Sequence, residues 1–397
     1  MLTIYHESLQ EYLSPDQILM LEMLVRVIQI FKEVKIEKLA ARLPLPIKYE
    51  SRRRAVQRFL IDRGLDISLI WLPIIKIIID KIQLQSKNKA RTKKGSKQVL
   101  YLAIDRTQWA DNNVFVVAAV LNKRAIPIYW IMLDKKGCSN LEEQQQLIRP
   151  ALALLSNYQI VLLGDREFRG VHLAAWLTQL KVKYVFRIKG DTYIDTNSGN
   201  ICLINQLNNT HGVRYFYPGI KLTKYKGFGY SNLAIYWQRK YRGKQPKEPW
   251  YLVTNLDSAD AAIAGYQHRM GIEMMFRDCK TGGYNLEGSK ANPARLINLI
   301  LLIAIAYTLL GGSPAQQSTL DGIKYQLTSS SQYFGRSKEL RGNTSTASQF
   351  WLGRYADDWL MMIDLMSESL GFIMLHRPQH RLNFLKGLSA TTLVASS

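Results

Sequence analysis

Cysteine is scarce in this chain. The three cysteines among 397 residues, Cys138, Cys202 and Cys279, are odd in number and lie far apart. This excludes a disulfide-stabilised scaffold and a cysteine-rich zinc site, and it favours the reducing environment of the cytoplasm. Acidic residues are also few, with 31 Asp and Glu against 53 Lys and Arg and a formal net charge of +22. Such an excess of cations indicates a polyanionic partner, nucleic acid before membrane.

Long hydrophobic runs are absent. The most apolar stretch, residues 296–310, is about 15 residues long and contains Asn298, whereas a membrane span needs roughly 20 residues. No basic segment followed by an apolar stretch opens the chain, so we expect no signal peptide. Hydrophobic residues make up 47% of the chain, which allows a sizeable core and excludes a disordered or fibrous protein. We therefore expect a cytoplasmic protein without a membrane partner, in which residues 296–310 form a buried core helix.

Residues 1–95 are expected to form a helical DNA-binding region that ends in a linker. Ser14-Pro15-Asp16-Gln17 combines a Ser N-cap, a Pro in the first turn and a Gln three residues after the cap, which is typical of a helix start. Residues 51–100 contain 13 Lys and Arg against 3 Asp, so part of the positive charge is concentrated here. The stretch 87–97 has almost no apolar residues and is predicted to be the linker at the first domain boundary.

Two short helices in this region resemble a helix-turn-helix, in which the second helix enters a groove of DNA. The breaker Leu43-Pro44-Leu45-Pro46 separates them. The second helix carries the arginines that we predict to contact DNA, Arg52, Arg53, Arg54 and Arg58. The alternative interpretation is a basic helix face that is simply solvated.

Residues 96–312 show the pattern of an α/β domain. Three short apolar runs joined by tight turns predict antiparallel strands, and a helix, a strand, a helix and a strand follow. Residues 190–255 interrupt this alternation and are rich in Asn, Gly, Tyr and Lys, which predicts a mostly β insertion. One long helix is predicted over about residues 258–279. Residues 313–397 read as helical segments and are a candidate dimerisation element.

Two carboxylates are predicted to end strands of this domain. Asp105 follows the apolar run 101–104, and Asp165 follows the run 160–164. Groups just past the carboxyl ends of strands line the ligand crevice of an α/β sheet. Each aspartate alone is explained better by helix capping or turn formation, so the pair indicates a site only when a third acid joins it.

Glu273 is that third acid. If the predicted helix is regular, each residue advances about 100°, and Tyr266, Arg269, Glu273 and Lys280 share a stripe roughly 60° wide. The spacing of Arg269 and Glu273 alone would fit an ordinary surface ion pair. With Tyr266 and Lys280 beside them, the face looks like one metal ligand surrounded by phosphate-binding donors.

These residues resemble a known family. Tyr266, Arg269, Glu273 and Lys280 match the YREK signature of IS4-family insertion-sequence transposases at every spacing. Asp105 resembles the first catalytic aspartate of the family, and Asp165, in a D-R-x-F context, resembles the second. Trp250 is similar to the tryptophan that ends the family's β insertion. The resemblance covers roughly residues 99–312.

The resemblance implies an RNase H-like catalytic domain of the DDE class, a mixed sheet flanked by helices and interrupted by the β insertion. Asp105, Asp165 and Glu273 would be its catalytic residues and its metal ligands. Cleavage of a phosphodiester needs an activated oxygen nucleophile and neutralisation of charge at phosphorus, which two carboxylate-bound Mg²⁺ ions supply. Hard oxygen ligands suit Mg²⁺, with Mn²⁺ as a substitute, and do not favour zinc.

The resemblance also implies contacts with DNA. Tyr266, Arg269 and Lys280 would bind backbone phosphates near the cut, and Trp250 would stack on a base turned out of the duplex. Trp250 is explained equally well as a core residue beneath the insertion. Arg166 either adds a phosphate contact or forms a structural ion pair with a nearby acid.

The function implied is that of a cut-and-paste DNA transposase. Such an enzyme binds double-stranded DNA at terminal inverted repeats and in the target, acts as a homodimer in the synaptic complex, and in this family often uses a hairpin intermediate. Two alternatives remain open: a non-catalytic end-binding regulator derived from a transposase, and another RNase H-like nuclease such as a junction resolvase. The intact set of three acids argues against the first, and the Tyr-Arg-Lys set with the basic N-terminal region argues against the second.

Overall fold

The computed structural model describes most of the chain up to residue 311. The described ranges are 9–43, 49–89, 98–109, 111–121, 124–195, 201–222, 229–239, 246–280 and 283–311, with single residues 382, 385 and 389. Most of the predicted linker at 87–97 lies outside them. The predicted C-terminal dimerisation region, 313–397, also lies outside the described residues apart from the three single positions.

The chain divides into two compact units, which we describe separately. The sheet unit comprises residues 92–277, and the helical unit comprises residues 1–91 with residues 278–397. The helices are α1 (Pro15–Phe31), α2 (Ile36–Arg42), α3 (Tyr49–Phe59), α4 (Leu72–Lys89), α5 (Leu141–Leu154), α6 (Val171–Gln179), α7 (Ala259–Gln267), α8 (Met270–Cys279) and α9 (Pro293–Gly311). The strands are β1 (Val99–Trp109), β2 (Asn112–Leu121), β3 (Arg124–Leu133), β4 (Gln159–Gly164), β5 (Lys183–Arg187), β6 (Tyr193–Asp195), β7 (Ile201–Leu203), β8 (Arg214–Leu222), β9 (Gly229–Tyr236) and β10 (Trp250–Thr254).

The start of α1 confirms the predicted capping box. The Ser14 hydroxyl accepts a hydrogen bond from the Gln17 backbone N–H at 3.3 Å, and the Gln17 side chain accepts one from the Ser14 backbone N–H at 2.8 Å. Each bond satisfies a backbone donor that the helix itself leaves without a partner. The local sequence therefore determines where α1 begins.

Helix α9 forms the core of the helical unit together with α1. Its side chains are buried over most of its described length, and Asn298, which interrupts the apolar run, donates from Nδ2 to the Leu60 carbonyl at 3.0 Å. Gln29 on α1 donates from Nε2 to the Ala306 carbonyl at 3.5 Å. The expected core helix over residues 296–310 is thus present. Among the described residues, no helix combines the length and hydrophobicity that a bilayer crossing requires.

The sheet unit contains a ten-stranded mixed sheet with the order β3-β2-β1-β4-β5-β10-β9-β8-β6-β7. Strands β1, β2 and β3 are antiparallel neighbours, whereas β1, β4 and β5 run parallel to one another. Strand β10 pairs with β5 on one side and β9 on the other, so the strands between residues 193 and 254 extend this same sheet. The predicted mixed α/β fold with flanking helices is confirmed.

The single long helix predicted over about residues 258–279 is wrong. Helix α7 ends at Gln267 and α8 begins at Met270, and the N–H groups of His268 and Arg269 bond to carbonyls three residues back, at 3.0 Å each. The His268 ring stacks on Tyr101 of β1 with the centroids 4.3 Å apart, which holds the tightened turn against the sheet. A stripe calculated at a constant 100° per residue does not apply across this interruption.

Candidate active site

Asp105 and Asp165 occupy equivalent positions on two parallel neighbouring strands. Asp165 directly follows β4, as predicted, but Asp105 does not end its strand, because β1 continues to Trp109 and pairs Asp105 with Val116 of β2. The parallel pairing of β1 with β4 ends at Ala103 and Leu163, and each aspartate lies two residues beyond that pair. The register therefore brings the two carboxylates together at the carboxyl ends of the paired segments.

The turn after β4 holds Asp165 in place. Its Oδ1 accepts a hydrogen bond from the Glu167 backbone N–H at 2.8 Å and so caps the short helical turn Arg166–Phe168. Phe168 is fully buried and stacks on Phe115 with the centroids 5.4 Å apart. Gly164 makes the close turn possible, since a Cβ there would lie 2.9 Å from the Phe168 ring. Asp165 can therefore cap this turn and also belong to the candidate active site.

Arg269 joins the first and third predicted acids. Its Nη1 donates to Asp105 Oδ2 at 3.3 Å, and its Nη2 donates to Glu273 Oε1. The Arg269 and Asp105 side chains are only 11% and 17% exposed, whereas Glu273 is 45% exposed. Arg269 Nε is buried without a hydrogen-bond partner among the described residues. The interruption between α7 and α8 thus places a guanidinium between two carboxylates.

Burial raises the pKa of Asp105 to about 6. The Arg269 guanidinium lowers this pKa, and the neighbouring negative charges of Asp165 and Glu273 raise it. Asp105 therefore lies within electrostatic range of both other acids. Strand register thus places Asp105 beside Asp165, and Arg269 joins Asp105 to Glu273.

The donor set fits a divalent cation in its chemistry, because the three carboxylates supply the hard oxygen ligands that Mg²⁺ and Mn²⁺ prefer. Across the described part of the chain, however, no three His, Cys, Asp or Glu side chains are grouped as a ready-made metal site. The Arg269 guanidinium supplies the positive charge between Asp105 and Glu273 instead. A metal ion would share these ligands with, or take them from, Arg269.

Tyr266 and Trp250 form an aromatic wall beside these acids. The Trp250 ring meets the Tyr266 ring edge to face, with the centroids 5.1 Å apart. Tyr266 is buried, which raises its pKa, and the Arg269 and Arg187 charges act in the opposite direction. Trp250 is half-buried on β10, so it is neither a fully buried core residue nor a freely exposed ring.

Two further arginines lie at this end of the sheet. Arg187 ends β5, and because Gly164 pairs with Phe186, it follows the same register as Asp165. Arg187 Nη2 donates to Glu248 Oε1 at 2.9 Å, and Arg166 Nη2 donates to the same oxygen. The structure thus places Arg166 in an ion pair. Sequence analysis missed Arg187, although a cation at the end of a strand that follows the Asp165 strand could have indicated it.

Glu167, the acid nearest to Asp165 in sequence, has a structural partner. Arg106 Nε donates to its two carboxylate oxygens at 3.2 and 3.1 Å, and the Ser139 backbone N–H and hydroxyl donate to Oε1 at 2.9 and 3.0 Å. These bonds connect β1, the turn after β4 and the loop before α5. Glu167 was not predicted as a metal ligand, and these hydrogen bonds account for its position without a metal ion.

The remaining predicted DNA contacts belong to the helical unit. Lys280 follows α8 directly and lies 3.4 Å from Glu287 Oε1 through its Nζ. Arg52 donates from Nε to the Ala40 carbonyl at 2.7 Å, and Arg53 lies 3.6 Å from Glu37 and 3.9 Å from Glu50. Arg54 and Arg58 are exposed on α3. The four predicted arginines of α3 thus fall into two different environments.

Comparison with known proteins identifies the family. The model of the transposase DDE domain matches residues 86–309, which is more than half of the chain. The chain therefore belongs to the transposase DDE domain family, and the predicted enzyme class, a DDE transposase, is confirmed. No curated protein matches it.

Among solved structures, the chain is similar to the piggyBac transposase synaptic complex with hairpin DNA. The identity is 14% and the TM-score is 0.38, with 74% of this chain and 66% of that chain covered. It is also similar to Marinitoga piezophila Argonaute in complex with a 5′-OH guide RNA, at 13% identity and a TM-score of 0.24, with 58% of this chain and 34% of that chain covered. The chain thus spans slightly less than two thirds of the piggyBac chain and about one third of Argonaute.

Proposed function

We propose that this protein is the transposase of an insertion sequence of the IS4 type, which binds terminal inverted repeats and cuts and joins DNA strands in the presence of a divalent metal ion. The observation that carries the proposal is the placement of Asp105 and Asp165 two residues beyond the same pair of parallel strands, with Arg269 joining Asp105 to Glu273, within the segment that matches the transposase DDE domain. The YREK spacing supports the IS4 assignment. The order β3-β2-β1-β4-β5, with antiparallel pairs followed by parallel ones, supports an RNase H-like layer, and β6 to β10 would be the inserted strands.

Each group of the site has a proposed role. Asp105, Asp165 and Glu273 would hold the ions, two Mg²⁺ by family resemblance with Mn²⁺ as a substitute. The ions would activate the attacking oxygen and neutralise charge at phosphorus. Arg269 and Arg187 supply guanidinium groups that can bind a phosphate in a bidentate manner. Trp250 is half-buried and would stack on an unpaired base, with the buried Tyr266 ring packed against it.

The wider reaction follows the family. Two copies would bring the two ends of the element together, excise it through a hairpin on the transposon end and join it to target DNA. The cationic surplus of the chain suits this succession of DNA substrates. Lys280 would contribute a further phosphate contact.

The test is metal-dependent nicking of DNA that carries the inverted repeats flanking the gene, compared with an RNA–DNA hybrid and a four-way junction. We expect nicking of the end-bearing DNA with Mg²⁺ or Mn²⁺, and its loss with retained DNA binding in Asp105→Ala and Glu273→Ala. Asp134→Asn is the matched control, since Asp134 is an exposed acid of the same unit. Binding without nicking by the unaltered protein would indicate a non-catalytic regulator. Cleavage of the hybrid or junction irrespective of end sequence would indicate another nuclease.

A further inference from the structure

A surface pocket of the helical unit lies between α3 and the first turn of α9. Its volume is about 500 Å³, and Arg54, Arg58 and Arg295 are among the residues that line it. Three guanidinium groups from two segments thus line the pocket. Even the nearest two across these segments, Arg58 and Arg295, are more than 230 residues apart in the chain. Arg295 belongs to no sequence motif and has no role in the proposed active site.

The fold determines this convergence. Arg54 and Arg58 are four residues apart on α3 and therefore lie on the same helix face. The buried hydrogen bond from Asn298 Nδ2 to the Leu60 carbonyl, 3.0 Å long, ties α9 to the chain just beyond α3. One turn earlier on α9, the Arg295 backbone N–H donates to Asn292 Oδ1 at 3.1 Å and so fixes the start of the helix. The three arginines are therefore held around the pocket by packed backbone.

The charges in the pocket lack a counterion within the described chain. Among the described residues, neither Arg54, Arg58 nor Arg295 has an acidic partner, and Arg295 Nε is buried without a hydrogen bond. The neighbouring Arg52 and Arg53 differ, because they bind the Ala40 carbonyl and Glu37 of α2. Three like charges around one pocket repel each other, and a bound anion with several acceptor oxygens relieves that repulsion.

We propose that Arg54, Arg58 and Arg295 form a binding site for the phosphate backbone of double-stranded DNA; the identity of the anion rests on the proposed function. The three groups hold phosphates and do not read bases, so they contribute equally to every sequence. Arg52 and Arg53 have a different role, because they attach α3 to α2. The site joins the predicted DNA-binding helix to a helix that no motif had associated with DNA.

The test is DNA binding by the full-length protein, measured by fluorescence anisotropy on a duplex of random sequence between about 50 and 200 mM salt. Affinity falls as salt rises, and each lost phosphate contact should reduce the magnitude of the slope of log affinity against log salt by about 0.9. Arg295→Gln should therefore lower the slope by about this amount, and the triple variant Arg54→Gln, Arg58→Gln, Arg295→Gln by about three times as much. Arg295→Lys should restore most of the slope.

Arg26→Gln is the matched control, because Arg26 is exposed on α1 and does not line the pocket. It should leave both the slope and the melting temperature unchanged. Equal slopes for Arg295→Gln, the triple variant and the unaltered protein, with equal melting temperatures, would overturn the proposal. So would an affinity loss confined to the inverted-repeat sequence, because that result would indicate base reading.

The two proposals fail separately. If the salt slope depends on Arg295 as expected but the protein nicks no DNA, the phosphate site is supported and the proposed catalytic function is contradicted. If the protein nicks its inverted-repeat DNA but the slope of log affinity against log salt does not depend on Arg295, the proposed function is supported and the phosphate site is contradicted.

Discussion

The guanidinium of Arg269 donates to the carboxylate of Asp105 across 3.3 Å, and these two residues are 164 positions apart in the chain. The same guanidinium binds Glu273. One side chain thus links the largely buried acid of β1 with the acid of α8. Its charge occupies the neighbourhood in which a divalent cation would bind the same two carboxylates.

We expect Arg269→Gln to strengthen Mn²⁺ binding to the DNA-free protein. The substitution removes a competing cation from Asp105 and Glu273, and a gain of tenfold in affinity corresponds to about 1.4 kcal/mol. Isothermal titration calorimetry with Mn²⁺ measures the change. The matched control is Arg214→Gln, which removes an exposed arginine paired with Asp260 in the same unit. If Arg269→Gln binds Mn²⁺ no more tightly than the unaltered protein, Arg269 does not compete with the metal ion for Asp105 and Glu273.

Asp105→Asn should stabilise the metal-free protein at neutral pH. The pKa of Asp105 is about 6 in the folded protein against a usual value of 3.8, so the folded state retains a proton that the unfolded state releases between these values. The stability of the unaltered protein therefore falls as pH rises through this window. At pH 7 the substitution should raise the free energy of unfolding by up to about 3 kcal/mol.

Urea denaturation in the presence of a chelator measures this difference at pH 7 and near pH 4. The gain should disappear near pH 4, where the carboxyl is protonated in the folded protein. Asp134→Asn should show no gain at either pH. A substitution that destabilises the protein at pH 7 would show that the ion pair with Arg269 outweighs the burial of Asp105.

Glu248→Gln should strengthen DNA binding. The Glu248 carboxylate binds both Arg166 and Arg187, and its neutralisation makes two guanidinium groups available to phosphate. Because Glu248 is half-exposed, we expect a two- to fivefold gain in affinity, which corresponds to an ion pair worth up to about 1 kcal/mol. Fluorescence anisotropy with Asp260→Asn as the control provides the measurement. Weaker binding by Glu248→Gln would mean that Glu248 positions the two arginines for DNA.

Asn298→Leu should destabilise the helical unit. The Leu60 carbonyl would lose its buried donor, and an unsatisfied buried polar group costs about 1–3 kcal/mol. Chemical denaturation followed by circular dichroism measures the loss. An Asn292→Ala control alters only an exposed capping bond and should cost less. Equal costs for the two variants would contradict the structural role of Asn298.

Much of the local structure could be predicted from the sequence. The capping box at Ser14, the strand runs of the sheet and the apolar helix near residue 300 all depend on neighbours within a few positions. The acid in the D-R-x-F context could be placed after a strand for the same reason. The interruption at His268 could not be predicted in this way, and in the structure that ring stacks on Tyr101 of a distant strand.

The predicted phosphate-binding arginines illustrate the same limit. Arg52, Arg53, Arg54 and Arg58 look alike in the sequence, and only the packing of α3 on α2 separates those with acceptors from those without. Arg295 carried no sequence pattern that distinguished it from other cations, and Arg187 had only its position at the end of a strand. Their environments arise from strand register and from a helix packed across the chain.

The sequence by itself determined the charge of this protein, the starts of several of its elements and the positions of the three predicted acids, because these features depend on composition and on short spacings. Only the tertiary structure decided which cation meets which acid. Arg269 reaches Asp105, Arg187 meets Glu248 and Arg295 joins the α3 arginines through contacts between distant segments. Electrostatic interactions depend on distance in space, and the fold sets that distance.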